Sequence, residues 1–362
     1  MAAHFETDYG VMQLSVAVYL GFSAVLQIFV GPLSDKFGRR PLILWGIGIF
    51  MVATLGCIFA PNIETFLAFR MLQAAIATAM VLSRAAVRDM YTQDQAASMI
   101  GYVTMGMAVV PMISPALGGI LDEWFGWQAV FWALLLLGGL TGLLAWSDMG
   151  ETAVPSTKSL GAQFGEYPEL LRSPRFWGYA LASGFSSGAF FAYLGGAPFV
   201  GQEVFGMSPA RLGFFFGAPA VGYFAGNFIT GRYATRFGVN QMVLWGSCAN
   251  ATGGTISLLI FASGHGSPAS FFGLMTLIGL GNGLCINATA GLLSVRPHLA
   301  GTASGLGGAI MIGGGAGLSA WVGVLLTPQS GAFPLLWMML GCSVLGLLSI
   351  LMVMRRERIL RR

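Results

Sequence analysis

Apolar stretches, each long enough to cross a lipid bilayer, follow one another along almost the whole chain. A helix needs about 20 residues to cross the hydrocarbon core. Backbone polar groups cannot stay unpaired in lipid, and runs this long and continuous satisfy them as helices rather than as barrel strands. The sequence therefore predicts an all-α membrane protein with eleven spans, at residues 11–32, 41–60, 63–83, 96–119, 127–147, 176–200, 209–231, 240–262, 269–291, 300–327 and 331–354.

The charged residues agree with this prediction and indicate an orientation. Only 9% of the residues are charged, whereas soluble proteins carry about 25%. If successive spans cross the membrane in opposite directions, 16 of the 18 basic residues fall on one side of the membrane. The positive-inside rule identifies this side as the cytoplasm. We therefore expect an exterior N-terminus and a cytoplasmic C-terminus. The net charge of +4 reflects topology and gives no support for nucleic-acid binding.

The reactive side chains predict neither an enzyme nor a cofactor. The four cysteines lie in apolar spans without paired spacing, so we expect free, buried thiols. The three histidines are scattered singly in loops, whereas a metal site needs ligands in a cluster. An intramembrane hydrolase would need a base beside its nucleophile. No histidine lies within a predicted span, and every acid lies in a loop, in the linker or, like Glu64, at the end of a span.

An internal repeat divides the chain into two halves. Gly31–Gly38 is similar to Gly231–Gly238, with glycine, a basic residue, phenylalanine and glycine at matching places. The polar stretch 148–175 predicts a cytoplasmic linker between bundles at 1–147 and 176–354, followed by a basic tail at 355–362. The span at 176–200 has no counterpart in the first half, so the repeat predicts eleven of twelve helices with the first one missing.

The segment Gly31–Pro41 carries the first family resemblance. It resembles closely the signature that members of the major facilitator superfamily carry between their second and third helices, which implies two pseudo-symmetric bundles. The resemblance implies that Asp35 holds the cytoplasmic side shut through charge contacts. The expected partners are the helix N-terminus near Ala300, or Arg84 or Arg88. The motif positions of this predicted gating loop are Gly31, Asp35, Gly38, Arg39 and Arg40.

An arginine inside the third predicted span gives a second resemblance. Arg70 and Gln73 are similar to a family motif in which an embedded arginine precedes glutamine and glycine, although Ala74 replaces the glycine. A buried arginine is costly in a membrane and normally faces a cavity or a partner. The alternative is that the side chain extends to the interface.

A third resemblance lies in the span 96–119. Its glycines and prolines resemble the motif of exporters that exchange a drug for a proton, although Ser114 stands where glycine is usual; the matching positions are Gly106, Pro111, Pro115, Gly118 and Gly119. A proline inside a helix kinks it, so a kinked packing helix without directional meaning is the alternative interpretation.

The segments Ser83–Tyr91 and Trp124–Trp127 narrow the resemblance to the bacterial bicyclomycin and chloramphenicol resistance group, Bcr/CflA. Arg84, Arg88 and Asp89 carry part of this likeness, and they could equally be ordinary helix-end charges. The resemblance implies a monomer in the bacterial inner membrane that exports small amphipathic drugs.

The expected mechanism is alternating access coupled to protons. Polar groups in apolar helices predict a substrate cavity, while Phe190, Phe191 and Met105 could add adaptable apolar contacts. All 14 acids lie in loops, at helix ends or in the linker, so the coupling acid is expected in the missing first helix. A solute importer of the same fold, or an inactive truncated form, is the alternative. The cavity candidates are Tyr19, Arg70, Gln73, Tyr102, Ser183, Ser186, Tyr193, Asn227, Asn282 and Asn287.

Overall fold

The computed structural model of the chain describes residues 4–7, 9–152, 161, 165 and 167–360. These residues form helices and contain no strand. The helices are α1 (Tyr9–Phe37), α2 (Arg39–Ile58), α3 (Ile63–Gln73), α4 (Ala77–Met90), α5 (Gln93–Phe125), α6 (Gln128–Asp148), α7 (Tyr167–Leu171), α8 (Pro174–Phe199), α9 (Pro209–Phe216), α10 (Ala218–Phe237), α11 (Val239–Ala262), α12 (Pro268–Cys285), α13 (Asn287–Ser294), α14 (Ala300–Leu325) and α15 (Phe333–Leu360).

All eleven predicted spans coincide with helices, so the all-α fold class is confirmed. Nine helical stretches of the described chain are long and apolar enough to cross a membrane. The two other predicted spans fall on α5 and α8, which have 33 and 26 residues. Three spans contain a local break, and each pair of pieces continues in one span: α3 with α4, α9 with α10, and α12 with α13.

The predicted gating loop at 31–40 is wrong in one respect, because most of it is helical. Helix α1 continues to Phe37, and Gly38 alone separates it from α2. Gly38 has a φ of 93°, a conformation that glycine adopts without a Cβ penalty. The repeat behaves in the same way, since Gly238 with a φ of 80° separates α10 from α11. The acid of the motif therefore lies on a helix.

The chain divides into two compact units. Unit 1 comprises Met1–Met90, Ile113–Tyr167 and Arg296–Ala309. Unit 2 comprises Tyr91–Met112, Pro168–Val295 and Ile310–Arg362. The predicted bundles at 1–147 and 176–354 stay a prediction, and most of residues 153–166 in the predicted linker lie outside the described residues.

Small residues bring helices of unit 2 into backbone contact. A Cβ at Gly222 or Gly226 would overlap backbone atoms of α12, so the absence of side chains at these two glycines lets α10 pack closely against α12. Gly213, by contrast, has open space around it. The four cysteines are free as predicted, but Cys248 is exposed because it lies on an outward face of α11.

Candidate functional site

The cytoplasmic end predicted for α1 lies directly against the first turns of α14. A Cβ at Gly31 would lie 2.5 Å from the carbonyl oxygen of Gly301 and from Thr302 Cα. A Cβ at Gly305 would overlap the carbonyl oxygen of Gln27. The two backbones approach this closely only because side chains are absent at these positions.

A cluster of charges surrounds this helix contact. Asp35 Oδ1 accepts a hydrogen bond from Arg39 Nη1 at 2.6 Å, and Asp35 Oδ2 accepts one from Thr302 Oγ1 at 3.1 Å. Arg39 Nε donates to Asp89 Oδ2 of α4 at 3.1 Å. The Arg39 side chain is only 3% exposed. A buried guanidinium is tolerated here because both carboxylates pair with it.

Part of this arrangement agrees with the expectations from the sequence. The N-terminal turn of α14 is beside Asp35, as expected, through Thr302. The cation bonded to Asp35 is Arg39, which lies four residues further along the same motif. Arg84 and Arg88 are partly buried residues of α4. Asp89 is more than a helix-end charge, because it forms an ion pair with Arg39.

Glu151 was missed by the sequence analysis. Its Oε1 accepts a hydrogen bond from the Arg39 backbone N–H at 2.8 Å, and its Oε2 accepts one from the Arg40 N–H at 3.2 Å. These N–H groups open α2 and have no partner within the helix, and the dipole of the helix also favours a carboxylate there. Gly38 leaves room for Glu151, since a Cβ at Gly38 would lie 2.7 Å from the carboxylate carbon.

Tyr167, also missed, contacts α1 at a carbonyl that the helix cannot use. Pro32 lacks an N–H, so the carbonyl of Ile28 has no partner four residues ahead. The Tyr167 hydroxyl donates a hydrogen bond to this carbonyl. Burial and, to a lesser extent, the nearby Asp35 carboxylate raise the pKa of Tyr167, so the hydroxyl remains a donor.

The embedded arginine lies in a chain of polar contacts within unit 1. Arg70 Nη1 donates to Gln73 Oε1 at 2.6 Å, and Gln73 Nε2 donates to Thr54 Oγ1 at 2.8 Å. The Arg70 guanidinium carbon lies 4.9 Å from the centre of the Tyr19 ring. Gln73 is fully buried. The structure therefore brings together the candidates Tyr19, Arg70 and Gln73.

The helix that carries the predicted exporter motif, α5, is continuous in its backbone from Gln93 to Phe125. A Cβ at Gly106 or Gly118 would meet nothing within 4 Å. The surroundings of Pro111, Pro115 and Gly119 lie outside what the structure describes. The exporter motif therefore stays a prediction.

One group of candidates in unit 2 forms a hydrogen-bonded set across three helices. Ser186 Oγ of α8 donates to Asn282 Oδ1 of α12 at 2.9 Å. Asn250 Nδ2 of α11 donates to Ser186 Oγ at 3.1 Å. Ser183, one turn earlier in α8, lies 3.9 Å from the Met311 sulfur.

The remaining candidates of unit 2 are packed between helices. Asn227 and Asn287 are fully buried, and Asn287 Nδ2 donates to Thr230 Oγ1 at 3.0 Å. The amide oxygens of both asparagines have no hydrogen-bond partner within the described chain. Tyr193 is 1% exposed, and its hydroxyl donates to the carbonyl of Phe216 at 3.1 Å, where α9 ends.

Helices α5 and α10 form a second close contact, inside unit 2. A Cβ at Gly101 would lie 2.8 Å from the Gly231 nitrogen, and a Cβ at Gly231 would lie 2.7 Å from the Tyr102 ring. The Ser98 hydroxyl donates to the Gly231 carbonyl. The candidate Tyr102 thus covers a glycine of the internal repeat.

Comparisons with known proteins agree with this fold and these motifs. The family model described as Major Facilitator Superfamily matches residues 1–320. The human organic anion transporter MFSD10 (TETRAN) superimposes with a TM-score of 0.73 at 20% identity, over 95% of this chain and 83% of that one. The chain therefore belongs to the major facilitator superfamily, a family of membrane transporters, and is not an enzyme.

Several relatives are named as drug or antibiotic resistance proteins. Multidrug resistance protein D of Escherichia coli is 32% identical over 97% of this chain and 88% of its own length. The chloramphenicol resistance protein of Pseudomonas aeruginosa is 30% identical over 94% and 82%, respectively. The bicyclomycin resistance protein homolog of Haemophilus influenzae is 27% identical over 89% of this chain and 82% of its own length. The resemblance to bicyclomycin and chloramphenicol resistance proteins is confirmed.

Proposed function

We propose that this chain exports small amphipathic antibiotics across the bacterial inner membrane in exchange for protons. The names of the three resistance relatives support drug efflux. The contact of Asp35 with Arg39 and Thr302 is the observation that supports the proposed gating mechanism. The proposal includes alternating access between two bundles, a monomeric transporter and a C-terminus in the cytoplasm, as the basic residues predict.

The Asp35 cluster suits a gate because its bonds join several helices. Asp35 joins α1 to α14 through Thr302, and Arg39 joins α2 to α4 through Asp89. Separating these helices would break hydrogen bonds to charged groups. Each such bond contributes about 1.5–3 kcal/mol. A contact made in only one conformation shifts the equilibrium toward that conformation. We infer that the cluster stabilises the state in which α1 rests on α14.

Arg70 suits a ligand-facing role. It interacts with Gln73, three residues further into the span, and with the ring of Tyr19, which holds the guanidinium inside the helical unit. A planar guanidinium offers several donors in a fixed geometry. We infer that Arg70 contributes to substrate binding or to coupling, with Tyr19 and Gln73 setting its position.

The test uses the full chain in proteoliposomes with an imposed pH gradient and labelled chloramphenicol as the probe. Gradient-driven transport that an uncoupler abolishes is expected. Asp35→Asn should lower the transport rate while substrate binding persists, and Thr235→Asn, at the matching exposed position of the repeat, should not. Arg70→Ala should reduce binding, and Arg70→Lys should restore it poorly. Transport that is insensitive to the uncoupler would refute antiport.

A further inference from the structure

An open groove of about 660 Å³ lies between α2 and α3 in unit 1. Its lining is apolar apart from one end, where Arg40 lies; the residues that matter are Arg40, Leu44, Trp45, Gly48, Val52 and Phe69. Trp45 is 71% exposed and Val52 67% exposed. Because the helices cross a membrane, these side chains face the lipid phase rather than water.

The groove has the length of one lipid leaflet. Arg40 and Val52 are twelve residues apart on α2, which is about 18 Å at the helical rise of about 1.5 Å per residue. Half of the hydrocarbon core is about 15 Å thick. A groove that begins at Arg40 and ends beside Phe69 therefore fits an acyl chain of the leaflet at the Arg40 end.

The Arg40 end fits a negatively charged headgroup. Arg40 Nη2 donates to the Trp146 carbonyl at 2.7 Å, which fixes the guanidinium at the mouth of the groove. Guanidinium donors match phosphate oxygens in charge and geometry. Trp45 follows five residues further along α2, and indole rings favour the region of the lipid headgroups.

We propose that this groove is a binding site for one anionic phospholipid, with an acyl chain along Gly48 and Val52 and the phosphate on Arg40. Gly48 keeps the groove open, because a Cβ there would meet nothing within 4 Å. Arg40 supplies the selectivity for charge. Arg40 also belongs to the motif of the predicted gating loop, so the site is tested by lipid affinity, which is measured independently of transport.

The experiment is native mass spectrometry of the full chain in detergent, titrated with phosphatidylglycerol or with zwitterionic phosphatidylethanolamine. Phosphatidylglycerol should bind more tightly. Arg40→Gln should weaken it about fivefold, the equivalent of about 1 kcal/mol per basic residue, and leave phosphatidylethanolamine unchanged. Arg40→Lys should recover most of the affinity. Unchanged unfolding temperatures of these variants would show that folding is not the cause.

Gly48→Leu should weaken both lipids, because the new side chain fills the groove. The matched control is Gly341→Leu on α15, also exposed and with nothing within 4 Å of its Cβ, and it should change neither. Equal affinity for the two lipids with no effect of Arg40→Gln would overturn the site. So would a Gly48→Leu variant that keeps its lipid but loses chloramphenicol, because the groove would then be a drug site.

Discussion

Two helix contacts, α1 with α14 in unit 1 and α10 with α5 in unit 2, both depend on a pair of glycines at the point of close approach. Gly31 meets Gly301 in the first, and Gly231 meets Gly101 in the second. Each glycine of the first contact has its counterpart 200 positions away in the second. Both contacts bring helix backbones together where a Cβ would not fit.

Their chemistry differs. Unit 1 has Ser34, Asp35 and Arg39 at the positions where unit 2 has Ala234, Thr235 and Val239. The second contact forms without an ion pair at these positions, since alanine, threonine and valine carry no charge. Close approach therefore requires the glycines alone, and the ion pairs of unit 1 serve another purpose, which we assign to the gate.

The largest effect is expected from removing the buried cation. Arg39→Met leaves the carboxylates of Asp35 and Asp89 without it, and breaking a buried ion pair costs about 3–5 kcal/mol. The thermal unfolding midpoint in detergent should fall clearly. Arg236→Met, at the exposed basic position of the repeat, is the control and should stay within about 0.5 kcal/mol. Equal effects of the two changes would show that the Arg39 pairs contribute nothing.

Adding one methyl group tests the backbone approach. In Gly31→Ala the Cβ meets backbone atoms of Gly301 and Thr302, which cannot move aside, and overpacking of this kind costs about 1–3 kcal/mol. In Gly231→Ala the Cβ meets the Tyr102 ring, which can rotate away. We expect the unfolding midpoint to fall further for Gly31→Ala. A larger fall in the unfolding midpoint for Gly231→Ala would show that the α5–α10 contact tolerates a Cβ less well than the α1–α14 contact.

Deleting one hydroxyl in each helix contact tests the chemical difference between the two contacts. Thr302→Val deletes a hydrogen bond to the Asp35 carboxylate and should cost about 1.5 kcal/mol, as bonds to charged groups do. Ser98→Ala deletes a bond to the neutral Gly231 carbonyl and should cost about 1 kcal/mol or less. Only Thr302→Val should also change the transport rate. A change of rate in Ser98→Ala alone would place the gate in the other contact.

The smallest effect is the coupling between Tyr167 and Pro32, which a double-mutant cycle measures. Tyr167→Phe removes the donor to the Ile28 carbonyl and should cost about 1 kcal/mol. In a Pro32→Ala background the new N–H can bond this carbonyl, so Tyr167→Phe should cost less there. Unit 2 needs no such donor, because Arg232 stands where unit 1 has Pro32. Additive losses in the cycle would refute the link between Tyr167 and Pro32.

Local signals explain what the sequence could predict. The length of the apolar stretches predicts the helices, and the repeated motifs at Gly31 and Gly231 mark one helix of each close contact. The resemblance carried by the first motif also pointed to the start of α14 as a neighbour of Asp35. The missing N–H of Pro32 is a readable signal for an unpaired carbonyl at Ile28, although nothing local identifies Tyr167 as its donor.

Other features depend on the tertiary fold. The bond of Arg39 to Asp89 joins residues 50 positions apart, and Glu151 reaches the start of α2 from 112 positions away. Neither pairing has a spacing rule that a single sequence reveals. The charges of residues 31–40 suggest a loop in water, whereas ion pairing allows the same charges to lie on a helix.

Gly38 is the single residue between α1 and α2, so it is the hinge about which either helix would tilt. Neighbouring Cα atoms are about 3.8 Å apart, so the ends of the two helices cannot drift apart when either one tilts. Helix α2 has 20 residues and is therefore about 30 Å long. A tilt of about 5° at Gly38 displaces Ile58 by about 2.6 Å on that length. A small change of angle at one end of α2 would therefore move its other end by about the length of a hydrogen bond.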